Sequence, residues 1–105
     1  MSTNPSTLRH VVLFSFRADA SADAVDKVVA DFGKLKDAIP GVIAYEWGTN
    51  VSPENLNDGF THCFTLTFAS APERDTYLNH PVHQAFVQTL GTCLAKALVV
   101  DYWAQ

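Results

Sequence analysis

Residues 60–68 read FTHCFTLTF, in which Phe60, His62, Phe64, Leu66 and Phe68 fall on one parity and Thr61, Cys63, Thr65 and Thr67 on the other. Successive strand side chains point to opposite faces, so the spacing predicts a strand with an aromatic face toward a core and a hydroxyl-rich face away from it. Just upstream, SPENLNDG (residues 52–59) concentrates the residues that reverse a chain, and VIAYEWGTNV (residues 42–51) has the β-branched and aromatic content of a second strand.

Working outward, LRHVVLFSFR (residues 8–17) predicts a strand with His10, Val12, Phe14 and Phe16 on one face and Val11, Leu13 and Ser15 on the other. Ser21 is placed to cap a helix in which Val25, Val28, Val29, Phe32, Leu35 and Ile39 recur at helical spacing, and Pro40-Gly41 ends it. Beyond residue 68, Ser70-Ala71-Pro72-Glu73 reads as a capping box that opens another helix. Pro81 lacks an amide hydrogen and disfavours helical geometry at His80, yet suits a helical first turn. A break and a further helix over residues 81–96 are therefore expected, with Val82, Phe86, Leu90 and Leu94 as its apolar stripe. ALVVDYW (residues 97–103) predicts the last strand. The order β-α-β-β-α-α-β points to an α+β sandwich, an antiparallel four-stranded sheet with helices on one face. Residues 1–7, MSTNPST, read as a disordered tail, and residues 8–105 as a single domain.

The chain has 105 residues, 48% hydrophobic and 17% charged, enough for one domain with a modest core. Seven Lys and Arg against eleven Asp and Glu, with no basic run, argue against nucleic acid and anionic lipid as partners. Cys63 and Cys93 show no metal or redox spacing, and no secretory leader pattern precedes the first strand, so reduced, unreactive thiols in the cytoplasm are expected. No apolar run reaches the roughly 20 residues that span a bilayer.

Helices cover one face of such a sheet. The other is expected to carry Val11, Leu13, Cys63, Tyr45 or its neighbours and apolar residues of the last strand, with Trp47 and Trp103 on it or at its rim. A second copy of the sheet, packed face to face, is the simplest cover, which predicts a homodimer.

The phrases HVVLFSF, LKDAIPGV, YEWGTNVSPENLNDGFTHCFTLTF, YLNHPVHQAFV and LVVDYW together resemble the stress-responsive A/B barrel domain family, with GFTH and HPVH the most specific pieces. The resemblance implies a ferredoxin-like subunit that pairs into a dimeric α+β barrel. It also implies chemistry, since a plant enzyme of that family closes a linear polyketide by aldol condensation with a tyrosine and a histidine matched here by Tyr77 and His83. A third pocket histidine matches His10, and apolar pocket positions match Val12, Phe14, Val28, Val29, Phe32, Phe64 and Leu66, to which Phe86 is added as a lining candidate. Family members that hold a cation on backbone carbonyls would place it near Lys36, Ile39 and Val42.

Tyr77 and His83 flank the His80-Pro81 break, so both can point into one space beneath the sheet. An imidazole can take a carbon-acid proton near neutral pH, and a phenol can hold the enolate oxygen. The pair suits cofactor-free aldol closure or isomerisation of an apolar carbonyl compound. Two bland readings stand beside it: His83 satisfies helix-start backbone, and Phe14, Phe32, Phe64 and Phe86 fill the pocket of a non-catalytic dimer. An open volume below roughly 300 Å³ at Tyr77 and His83 would favour the latter. His62 reads as structural. His80 and His83 offer two metal ligands at helical spacing but no others, so no metal is expected.

Overall fold

A computed structural model describes residues 7–105. The elements run β1 (Leu8–Phe16), α1 (Ala22–Ala38), β2 (Val42–Thr49), β3 (His62–Phe68), α2 (Ala71–Asn79), α3 (Pro81–Thr89), a 3-10 turn (Leu90–Thr92) and β4 (Leu94–Trp103). The strands form one antiparallel sheet in the order β2-β3-β1-β4, the ferredoxin-like arrangement. Residues 1–6 of the expected tail lie outside the described residues. Thr7 is tied down, its carbonyl accepting from the Ala104 amide at 2.9 Å.

The core lies between the sheet and the helices. Leu8, Val12 and Phe14 of β1 and Phe64, Leu66 and Phe68 of β3 are buried against Val28, Phe32 and Leu35 of α1, Tyr77 of α2 and Phe86 of α3. Phe32 stacks on Phe64 with centroids 4.2 Å apart, a pairing that adds about 0.5–1.5 kcal/mol to the burial itself. The Ser21 hydroxyl caps α1 by accepting from the Ala24 amide at 3.1 Å, and Ser70 caps α2 by accepting from Glu73 at 3.3 Å.

The Glu73 side chain lies against Gly41, whose φ of +104° places it where L side chains are strained and where an added Cβ would lie 2.5 Å from a Glu73 carboxylate oxygen. We expect Gly41→Ala to cost about 1–3 kcal/mol in urea unfolding, most of it from the backbone because the Glu73 tip can move.

Three expectations need correction. The last helix ends at Thr89, not near residue 96: the Thr89 hydroxyl turns back to the Phe86 carbonyl at 2.6 Å, and the chain tightens into the 3-10 turn through Gly91. Leu94 is consequently a strand residue opposite Phe16, and Val82 is 40% exposed on the outer side of α3. Tyr45 and Trp47 do not face away from the helices. Register pairs them with Leu66 and Phe64 on the helix side, where Trp47 stacks on His62 at 6.1 Å. Trp103 likewise opposes the buried Leu8.

The remaining face of the sheet is bare. Val11 opposes Val100, Leu13 opposes Leu98 and Arg9 opposes Tyr102. Leu98, Val100 and Tyr102 are 45–49% exposed, a contiguous apolar surface of the sort that marks an interface.

Candidate functional site

On the helix side, between α3 and the β1–β4 half of the sheet, lies a cavity of about 490 Å³. It lies beside β4, an edge strand that the helices cover incompletely, leaving Val99 of that strand 53% exposed. Its walls are apolar, built by Val12, Phe14, Phe32, Phe86, Leu90 and Val99 among others. The polar groups His10, Tyr77, His83 and Asp101 also line it.

The break at His80 positions two of these. Its extended backbone (φ −66°, ψ 136°) ends α2, and its ring Nδ1 caps α3 by accepting from the Val82 amide at 3.1 Å. The α3 start thereby swings back over α2, and the rings of Tyr77 and His83 meet with centroids 4.7 Å apart. His83 Nδ1 lies 3.1 Å from the Leu78 carbonyl oxygen. A carbonyl only accepts, so Nδ1 carries the hydrogen and the neutral ring keeps its lone pair on Nε2. Burial pushes the His83 pKa below its usual range, against the Leu78 bond, which raises it, and with His10 adding to the lowering. Tyr77 is fully buried, and burial pushes its phenol above the usual range. Its hydroxyl has no hydrogen-bond partner among the described residues. At neutral pH it is a protonated donor with nothing to donate to.

His10 is buried on β1 directly opposite Asp101 of β4, and its Nδ1 donates to Asp101 Oδ1 at 2.6 Å. Asp101 Oδ2 in turn accepts from Arg74 Nη1 of α2 at 2.6 Å. Sequence reasoning missed Asp101 and Arg74. A signal for the first was available: Asp101 is the lone charge in VVDYW, on the parity of Val99 and Ala97. Nothing local in SAPERDTY separates Arg74 from a solvated helix residue.

Of the expected site residues, His10, Val12, Phe14, Phe32, Tyr77, His83 and Phe86 converge on the cavity. Val28, Phe64 and Leu66 are instead packed in the core at 4% exposure or less, and Val29 packs against that core. His62 sits beyond the cavity among Phe16, Trp47 and Phe64. At the end of α1, where the resemblance implied a cation, the Asp37 carboxylate is already paired with the Lys36 ammonium at 3.2 Å. The Glu73 carboxylate lies against Gly41 in the same turn. Among the described residues no three His, Cys, Asp or Glu side chains are grouped as a metal site.

Burial also lowers the His62 pKa, with the Asp26 charge opposing. For both His62 and His83 the unfolded ring, at its usual 6.5, takes up a proton before the folded ring does. Stability is therefore complete above that value and declines as pH falls through it toward the folded values. We expect the urea midpoint to fall between neutral and mildly acidic pH, and His62→Phe to remove part of that fall. An equal fall in the variant would place the effect elsewhere.

A small α+β domain with an apolar cavity and a tyrosine–histidine pair at a helix break is the class that fold and site define. The stress responsive A/B barrel domain family matches residues 8–104, and the chain belongs to it. It is 36% identical over 95 residues to a stress-response A/B barrel domain-containing protein of Arabidopsis thaliana, covering 90% of this chain and 87% of that one. It is 25% identical to olivetolic acid cyclase of Cannabis sativa over 90% of this chain and 94% of the cyclase. Among solved structures, a hydroxynitrile lyase from Passiflora edulis superposes with a TM-score of 0.90 at 28% identity, covering 97% of this chain and 96% of the lyase. A dimeric ferredoxin-like protein from Thermobifida fusca, at 22% identity, TM-score 0.80 and coverage of 99% and 96%, shares the fold.

Proposed function

We propose that this chain is a cofactor-independent acid–base enzyme acting on an apolar carbonyl compound, and that residues 8–105 work as one domain in a cytoplasmic homodimer. The observation that carries the reading is the pairing of an unpartnered, buried Tyr77 hydroxyl with a His83 ring whose Nδ1–H is committed to Leu78. An unpaired buried hydroxyl costs a fold on the order of 1–3 kcal/mol, a cost with a purpose if a substrate oxygen completes it.

His83 Nε2 would take a proton from the carbon next to a carbonyl while the Tyr77 O–H donates to the carbonyl oxygen that becomes the enolate. The enolate carbon then attacks a second carbonyl of the same molecule, and the proton held on His83 returns to the new alkoxide. The apolar walls favour an aromatic or alkyl body. A cyclase and a hydroxynitrile lyase among the similar proteins support carbonyl or hydroxyl-bearing substrates as a class. Nor does any helix among the described residues have the length and apolarity to cross a membrane. The dimer reading is supported by the bare apolar sheet face and by dimeric relatives in fold.

A thermal-shift screen over β-diketones, aromatic aldehydes and lactones, followed by product analysis of each hit, tests this. At least one hit converted to product is expected. Hits without product would leave a binding module in place of an enzyme, and no hit at all would overturn the cavity as a ligand site.

A further inference from the structure

His10, Asp101 and Arg74 come from three elements, β1, β4 and α2, and form one chain of contacts at the cavity. Arg74 is itself anchored, its Nε donating to Asp75 Oδ1 at 2.8 Å. The side chains are 5%, 22% and 23% exposed for His10, Asp101 and Arg74, so their charges are only partly screened. A guanidinium stays protonated throughout the accessible pH range. With it in place Asp101 is already paired, while the more exposed Asp75 takes a second bond from the same guanidinium, so a proton on His10 gains less from Asp101 than it would without Arg74. Without it, Asp101 and a protonated His10 would form the balanced pair. The other groups facing His10 are Tyr77 of α2 and Leu66 and Phe68 of β3, and the His83 ring of α3 lines the same cavity.

We propose that Arg74 is a positioning residue of this site: it holds and balances Asp101, so that His10 meets a ligand as a neutral ring with Nδ1–H committed and Nε2 free to accept. The polar end of the cavity then presents an acceptor on His10 beside the donor on Tyr77. That combination fits a ligand carrying a hydroxyl next to a carbonyl oxygen, and disfavours a carboxylate. This builds on the cavity as a ligand site, but its test needs no ligand, so either can fail alone.

Long-range proton–nitrogen NMR of the histidine rings across pH, on the wild-type chain, Arg74→Gln and Arg74→Lys, reads the effect directly. In the wild type the neutral His10 ring is expected as the Nδ1–H tautomer. Arg74→Gln keeps a donor toward Oδ2 and removes the charge, and should move the His10 titration midpoint up by about one pH unit, a tenfold tighter proton. Arg74→Lys should restore most of the wild-type midpoint. His62, outside the site, should titrate identically in all three and so reports an intact fold. A His10 midpoint unmoved in Arg74→Gln while His62 is unchanged, or an Nε2–H tautomer in the wild type, would overturn the proposal.

Discussion

Tyr77→Phe is expected to abolish most turnover of any carbonyl substrate while leaving the fold as stable as before or slightly more so. The two effects have one origin. The phenol is fully buried and its hydroxyl has no partner among the described residues, so in the free protein it contributes a desolvated polar group and no bond. Phenylalanine keeps the ring that packs against Phe68, His10 and His83 and removes only that oxygen. Relief of the unpaired hydroxyl is worth up to about 1 kcal/mol after repacking, read as a higher urea midpoint. In the reaction the same oxygen would lose its donation to a developing enolate, and removal of one such donor typically costs about 10²–10³ in rate.

His83→Ala should cost a comparable 10²–10⁴-fold through loss of the base, though with some destabilisation because the Leu78 carbonyl loses its donor. A structural role would give the reverse pattern for Tyr77: lower stability and unchanged chemistry. Unchanged turnover in both variants would remove the pair from the mechanism.

How far the sequence carried the reading depended on whether the determining contact was local. Strand alternation, the Ser21 and Ser70 caps and the Pro81 break are set within a few residues, and each appears where the pattern put it. The end of α3 was misplaced because Leu90 and Leu94 continue a helical spacing, while the register of β4 against β1 takes Leu94 into the sheet. Parity alone could not orient β2, since an irregularity between Val42 and Ala44 shifts its register before Tyr45 and Trp47 are reached. Tyr77 and His83 were singled out by the family resemblance, and the proline between them made their convergence readable. The Asp101–Arg74 link joins a strand residue to a helix residue 27 positions away, a relation no window of sequence contains. Val28, Phe64 and Leu66 matched apolar pocket positions of a relative, but apolar type does not distinguish a cavity wall from the core behind it.

The other large effect is expected on the bare face of the sheet. Val100→Lys should convert the dimer to monomer in sedimentation equilibrium and lower the thermal midpoint with it. Val100 stands in register with Val11, flanked on the same face by Leu98 and Tyr102, and is 49% exposed in the single chain. An isologous interface repeats every residue across a two-fold axis, so one substitution buries two ammonium groups in one apolar layer. Like charges placed there cost several kcal/mol, enough to shift dissociation by orders of magnitude. A domain of this size buries a smaller share of its surface alone than a larger one does, so losing the partner also weakens the fold. Val51→Lys, at a residue 89% exposed in the loop after β2, introduces the same charge away from the sheet face and should leave mass and midpoint unchanged. A folded wild-type monomer at micromolar concentration would sink the dimer outright. A Val100→Lys chain that stays dimeric would place the partner on another surface, and the exposed Leu98, Val100 and Tyr102 would then need a different cover.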